Sequence, residues 1–128
     1  MSSRRVTAFF VASATLIAGG VVQPDMSLAG EADVLEVQVE RSGKGYRFNV
    51  TVQHADEGWD HYADAWEVLG PDGDVIATRE LAHPHVEEQP FIRSLPNVEI
   101  PDGISEVTIR ARDSVHGFGG EEITVELP

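Results

Sequence analysis

The sequence predicts an all-β domain, an antiparallel Greek-key sandwich of the immunoglobulin or fibronectin III type with about seven strands. Apolar and polar residues alternate with a period of two in several short segments, which is typical of half-buried strands. Turn residues rich in glycine and proline separate these segments at intervals of about 8 to 12 residues. After residue 29 no segment has the period of an amphipathic helix. A barrel built from the same strands is the alternative architecture.

Seven segments carry the strand pattern. The second is the clearest, because Tyr46, Phe48 and every second residue after them are apolar while their neighbours are polar. Trp66 lies in the third segment and fits the core tryptophan of immunoglobulin-like sandwiches. Pro96 interrupts the fifth, which predicts an edge strand or two short pieces. The predicted strands cover residues 35–40, 46–53, 62–69, 75–81, 91–100, 107–112 and 123–127, and a glycine-rich loop is predicted over 114–120.

The N-terminal segment has the three parts of a secretory signal peptide. Two arginines precede an apolar run over residues 6–22, and Ser27-Leu28-Ala29 supplies the small residues of a cleavage site. We expect cleavage after Ala29, so that residues 1–29 are a signal peptide and residues 30–128 form the β-sandwich domain. An uncleaved anchor is less favoured, because the run contains polar residues and glycines and is shorter than the roughly 20 residues that span a bilayer. No cysteine follows the apolar run, so attachment through a lipid-modified cysteine is excluded. We therefore expect a periplasmic or secreted domain.

The charge of the chain restricts its partners. The 128 residues carry a formal net charge of −13, and removing residues 1–29 takes away two arginines and one aspartate, which leaves −14. Such a surface repels nucleic acid phosphates and anionic lipid headgroups, and it attracts cations or a basic protein partner. A surface tuned for solubility or a saline habitat is the favoured explanation of the charge. We therefore expect no nucleic acid partner and, after signal cleavage, no membrane contact.

All five histidines are predicted to lie at one end of the sandwich. Successive antiparallel strands reverse direction, so alternate connections share an end. The tight turns near residues 42–43, 71–73 and 101–103 lie at one end and contain no histidine. The connections 55–61, 82–90 and 114–120 lie at the other end, where loops on a rigid sandwich commonly carry function. Together with the end of the second strand, these connections contain His54, His61, His83, His85 and His116.

These histidines predict a metal site. Neutral imidazole binds zinc, copper, nickel and iron, and positions 83 and 85 share one face of an extended backbone. The predicted ligands are His61, His83, His85 and His116. Four further residues are candidates for holding a ligand's second nitrogen: His54, Asp60, Asp64 and Asp113. The aspartates among them could instead bind the ion directly. For His54 the competing interpretation is a hydrogen-bonded histidine at the rim of the core, since it continues the inward phase of its strand.

The absence of sulfur restricts the chemistry of the site. The chain has no cysteine, and both methionines precede the predicted cleavage point. A cysteine nucleophile and cysteine-ligated zinc or iron are therefore excluded. A site of imidazole and carboxylate groups favours Cu(II), Zn(II) or Fe(II) over Cu(I).

Several motifs resemble those of a group of small uncharacterised exported proteobacterial proteins, and the likeness covers most of residues 46–127. The motifs are Trp59-Asp60-His61-Tyr62-Ala63-Asp64, His83-Pro84-His85, Glu88-Gln89-Pro90-Phe91 and Asp113-Ser114-Val115-His116-Gly117. The resemblance implies that the histidine loops form one module, and it implies no activity. A more distant similarity is to the superoxide reductase domain, a sandwich with a histidine-bound iron. That mechanism needs a cysteine ligand, which this chain lacks, so the activity is not implied.

The leading functional hypothesis is a periplasmic or secreted divalent metal-binding protein that acts as a carrier, buffer or sensor. The alternative is a non-enzymatic module that binds a protein or a glycan through the same loops. A metalloenzyme that handles a small oxidant is a third hypothesis. The sequence contains no nucleophile motif, phosphate loop or cofactor fingerprint, so no catalytic residue is assigned.

Overall fold

The computed structural model describes residues 30–128, and the predicted signal peptide lies outside the described residues. The described chain folds into eight strands and contains no helix. The strands are β1 (Asp33–Ser42), β2 (Gly45–Gln53), β3 (Ala63–Leu69), β4 (Val75–Glu80), β5 (Phe91–Val98), β6 (Glu106–Asp113), β7 (Gly117–Phe118) and β8 (Ile123–Glu126). Accordingly, none of the residues 30–128 belongs to an apolar helix of membrane-spanning length.

The strands form two antiparallel sheets. One has the order β1-β2-β5, and the other has the order β4-β3-β6-β7, with β8 also paired to β6. The connections from β2 to β3, from β4 to β5 and from β5 to β6 pass from one sheet to the other, as in Greek-key sandwiches. The predicted all-β antiparallel sandwich is therefore confirmed, and the strands do not close into a barrel.

The core lies between the sheets and follows from the alternation of the strands. In β2 the side chains of Phe48, Val50 and Val52 are buried while their neighbours are partly exposed. Trp66 of β3 is fully buried opposite them, as predicted. Ile109 and Ala111 extend the same core from β6. Burial of these apolar side chains supplies the main free energy that holds the two sheets together.

The segment predicted as a glycine-rich loop over 114–120 contains a short hairpin instead. Strand β7 pairs with the end of β6, with Arg112 opposite Phe118 and Asp113 opposite Gly117. Gly117 adopts a φ of +75°, which suits a residue without a Cβ atom. The Asp113 carboxylate accepts the backbone N–H groups of Val115 and His116 and so closes the turn. This side-chain contact gives the hairpin its shape.

Hydrogen bonds between the connections show that the three histidine loops lie at the same end of the sandwich. The carboxylate of Asp56, in the β2–β3 connection, accepts the backbone N–H of His85 in the β4–β5 connection at 2.7 Å. The backbone N–H of Ser114, after β6, donates to the carbonyl of Tyr62 at 2.8 Å. The turn at Gly70 lies at the opposite end, against Ile104.

Candidate metal centre

Three buried side chains at the histidine end could hold a metal ion. Among residues 30–128, His54, His61 and Asp113 each offer one ligand atom, and these atoms lie within 4.8 Å of one another. The Nε2 atoms of His54 and His61 are 3.3 Å apart. The Asp113 carboxylate lies 3.6 Å from His54 Nε2 through Oδ2 and 3.4 Å from His61 Nε2 through Oδ1. We refer to these three residues as the His2Asp group.

The separations in the His2Asp group match those of ligands around one ion. Two ligands bound to zinc at about 2.0 to 2.1 Å in tetrahedral geometry lie about 3.3 Å apart. The three contacts run from 3.3 to 3.6 Å, with the two histidines facing different oxygens of Asp113, and one ligand atom from each residue lies within 4.8 Å of the other two. Small side-chain adjustments therefore suffice to place all three ligand atoms around a common ion.

Strand β2 positions His54, because the alternation of buried and exposed side chains continues beyond the end of the strand. The alternation of buried positions runs through Val50 and Val52 and continues past the end of the strand to His54 and Asp56. Asp113 occupies the last position of β6, also on the inward phase, and is 1% exposed. His61 lies near the end of the β2–β3 connection, where its carbonyl accepts the backbone N–H of Glu57 at 2.8 Å.

Both ring nitrogens of His54 face acceptors. Nδ1 lies 2.6 Å from Asp56 Oδ1, and Nε2 lies 2.9 Å from the carbonyl oxygen of Gly30. A carboxylate and a carbonyl accept only, so these contacts favour the form of the ring in which both nitrogens carry protons. Burial alone would lower the pKa of His54, but the hydrogen bond and negative charge of Asp56, with smaller effects from Gly30 and Asp113, raise it above 6.5.

His61 directs Nε2 toward the other two residues of the His2Asp group. Its Nδ1 lies 3.3 Å from Glu57 Oε1 on the other side of the ring. Burial alone would raise the pKa of Asp113, but the backbone N–H groups of His116 and Val115 lower it below 3.8. The group thus combines imidazole nitrogens with an ionised carboxylate, two of the donor types that divalent transition metals prefer.

His116 stands at the solvent side of the group. Its Nδ1 donates to Asp113 Oδ2 at 3.2 Å, and its ring centroid lies 4.9 Å from that of His61. The side chain is 38% exposed, so it can rotate more freely than the buried ligands. Of the four predicted ligands, the structure therefore brings His61 and His116 together. It places beside them His54 and Asp113, which the sequence had suggested as supporting residues of the site.

His83 and His85 pack against each other and have other neighbours. Their ring centroids are 4.7 Å apart, and the ring of His85 stacks on Phe91 at 4.0 Å. The Arg93 guanidinium donates to His85 Nε2 at 2.8 Å, which occupies the lone pair of that nitrogen. Burial, followed by the charge of Arg93, lowers the pKa of His85 below 6.5. His85 Nδ1 is buried without a hydrogen-bond partner among the described residues.

The acidic residues of the region have different surroundings. Asp60 is exposed in the β2–β3 connection, and Asp64 pairs with Arg112 at 2.8 Å. Asp56, which the sequence interpretation did not select, is buried and accepts three hydrogen bonds: from His54 Nδ1, from the backbone N–H of Ala63 and from that of His85. A carboxylate behind a histidine ligand fixes its ring orientation. The sequence signal for Asp56 is its position two residues after His54, where the alternation of β2 places another side chain toward the core.

The contribution of His54 to stability is expected to depend on pH. Its pKa is raised in the folded state, so this contribution is fully present below pH 6.5 and is lost as the pH rises through the raised value. His85, whose pKa is lowered, acts in the opposite direction. Urea unfolding in a chelator should therefore show that His54→Gln destabilises the protein more at pH 5.5 than at pH 9. An equal effect at both pH values would contradict this charge assignment.

The comparisons with known proteins include a sequence relative from an archaeon. No family model matches the chain. A protein of the archaeon Halomicrobium mukohataei with the name "Putative lipoprotein" is 40% identical over 97 residues, which are 75% of this chain and 47% of that protein. The chain thus spans about half the length of this relative. The relative is archaeal, whereas the motif resemblance pointed to proteobacterial proteins.

Two solved structures are also similar to the chain, both with a TM-score of 0.43. One is a superoxide reductase (1Fe-SOR) from Giardia intestinalis, which is 16% identical and aligns over 71% of this chain and 95% of its own. The other is a superoxide reductase in the oxidized state, which is 18% identical and aligns over 80% of this chain and 94% of its own.

Proposed function

We propose that this protein binds one divalent transition metal ion at the His2Asp group and acts as a carrier, buffer or sensor of that metal. The observation that carries the proposal is that His54, His61 and Asp113 are buried and each offers one ligand atom within 4.8 Å of the other two. Asp56 supports it, because a carboxylate on the second nitrogen of a histidine is the usual partner of a metal ligand. His116 is the additional ligand that this proposal retains from the sequence prediction.

The donor atoms indicate the class of metal. Two imidazole nitrogens and one carboxylate oxygen suit Zn(II), Cu(II) and Fe(II) better than Cu(I), and the chain has no cysteine to offer. Binding must displace the proton on His54 Nε2, so affinity falls with falling pH. The acidic surface of the protein adds a long-range attraction for cations.

We place this function outside the cytoplasm. The apolar run and small-residue cleavage site of residues 1–29 support export, and the archaeal relative carries a lipoprotein name, which fits an envelope location. Attachment of this chain through a lipid-modified cysteine is not possible within the 128 residues, because they contain no cysteine. A periplasmic or secreted form is therefore the proposed working form.

Equilibrium dialysis against Zn(II), Cu(II), Ni(II) and Fe(II) tests the proposal. We expect one tightly bound ion per chain in at least one case, and binding about tenfold or more weaker in His61→Ala. The matched control is His83→Ala with His85→Ala, which lie outside the His2Asp group and should change affinity by less than about threefold. The proposal fails if no metal binds stoichiometrically, or if the double variant loses binding while His61→Ala keeps it.

A second candidate function, a module that binds a basic protein partner, is favoured by apolar side chains at the histidine end. Trp59, Val86 and Val115 are each more than half exposed, and each belongs to a different histidine loop. Exposed apolar groups at one end of an acidic domain can contribute to a binding surface for another protein. A partner captured by the exported protein and lost on Trp59→Ser, while metal affinity is unchanged, would support this second function.

A further inference from the structure

The backbone of Gly30 lies at the candidate metal centre. The carbonyl oxygen of Gly30 is 2.9 Å from His54 Nε2. The residues that follow are held firmly: Ala32 is fully buried, and the backbone N–H of Val34 donates to the carbonyl of Glu121 at 2.9 Å. The side chain of Asp33 accepts the backbone N–H of Glu121 at 2.8 Å. Gly30 is therefore fixed beside His54 by the packing of β1 against the chain before β8.

Metal binding changes the contact between Gly30 and His54. His54 Nε2 and the Gly30 carbonyl oxygen lie 2.9 Å apart. Two ligands at about 2.0 to 2.2 Å from one ion are separated by about 3 Å when they stand at a right angle. An ion bound through the lone pair of Nε2 therefore lies within reach of the carbonyl oxygen, which can no longer accept a proton from that nitrogen. The carbonyl oxygen of Gly30 is thus in position to become a ligand together with His54.

We propose that removal of residues 1–29 completes the metal site, with the α-amino nitrogen and carbonyl oxygen of Gly30 chelating the ion held by the His2Asp group. This inference rests on the proposed function and on the predicted cleavage after Ala29. Cleavage converts the amide nitrogen of Gly30, which cannot bind a metal without losing its proton, into an amine with a free lone pair. The amine and carbonyl of one residue close a five-membered ring with an ion.

The chelate has two consequences for the protein. First, it couples metal affinity to export, because only the processed chain offers the amine. Second, it adds a nitrogen and an oxygen to the two imidazoles and one carboxylate, which suits Cu(II), a metal that prefers nitrogen and oxygen donors in a tetragonal set. Residues 30–128 contain both sheets and the whole described core, so the processed form retains the complete sandwich.

Three forms of the chain test the inference: residues 30–128 with a free amine, the same residues acetylated on Gly30, and residues 27–128. Affinity for Cu(II) is measured by competition with a chromophoric chelator. We expect the free-amine form to bind about tenfold or more tightly than the other two. In His61→Ala this advantage should disappear, which separates a chelate at the site from adventitious binding at a free N-terminus. Unfolding midpoints in chelator check that the three forms fold alike.

The affinities of the three forms separate the role of Gly30 from the existence of the metal site. Equal affinity of the three forms, with binding still lost in His61→Ala, overturns the role of Gly30 and leaves the proposed function intact. Absence of Cu(II) binding in all three forms overturns both. Mass spectrometry of the exported protein provides an independent test, because a mature N-terminus at any residue other than Gly30 also overturns the inference.

Discussion

Replacing Asp113 by asparagine is expected to weaken Zn(II) or Cu(II) binding by about 100-fold or more. Even the loss of a group behind a metal ligand costs about 10- to 100-fold in affinity, and Asp113 is the only carboxylate in the His2Asp group. Asparagine has nearly the same shape and keeps an oxygen that can accept the N–H groups of Val115 and His116. The β6–β7 turn should therefore persist while the negative charge is lost.

Competition with a chromophoric chelator measures this affinity, and Asp64→Asn is the matched control. Asp64 lies on the strand adjacent to β6 and pairs with Arg112 away from the His2Asp group. Its replacement removes the same charge from the same part of the sandwich and should change affinity by less than about threefold. If Asp113→Asn binds metal as well as Asp64→Asn does, Asp113 is not a ligand.

Replacing Asp56 by alanine is expected to lower the free energy of unfolding by about 3 to 5 kcal/mol. The change leaves the buried imidazolium of His54 without its closest counter-charge. It also leaves the backbone N–H groups of Ala63 and His85 without acceptors. A domain of this size is stabilised by only about 5 to 15 kcal/mol in total, so the variant should be marginally folded.

Urea unfolding in chelator at pH 5.5, where His54 is charged, measures this loss, and Glu57→Ala is the control. Glu57 is the next acidic residue, but its side chain is 61% exposed and its contact with His61 is 3.3 Å. An exposed contact of this kind contributes less than about 1 kcal/mol. Similar losses in the two variants would show that the Asp56 hydrogen bonds do not organise the histidine end.

The sandwich was predictable because each strand buries only one face, so apolar and polar residues alternate along the sequence. Alternation in a segment such as 46–53 defines both the strand and its inward side chains. Strand β7 was not predictable in this way, because two residues cannot display a period. Its position depends on the hydrogen bonds of the Asp113 side chain, which no pattern of hydrophobicity reports.

The candidate site was predictable as a region, since the direction of successive strands brings the histidine loops to one end. Which residues face a common ion depends on side-chain contacts between distant segments. Arg93 of β5 occupies the Nε2 lone pair of His85. His54 lies at the rim of the core, as its alternation indicated, and still directs Nε2 toward His61. Asp56 forms no motif with the histidines, although it extends the same buried alternation.

Anomalous X-ray diffraction from crystals grown with Zn(II) or Cu(II) tests the central claim most directly. We predict one strong anomalous peak at the absorption edge of the metal, about 2.0 to 2.2 Å from His54 Nε2, His61 Nε2 and an Asp113 carboxylate oxygen. A stoichiometric ion bound instead between His83 and His85, with no peak at the His2Asp group, would contradict the account.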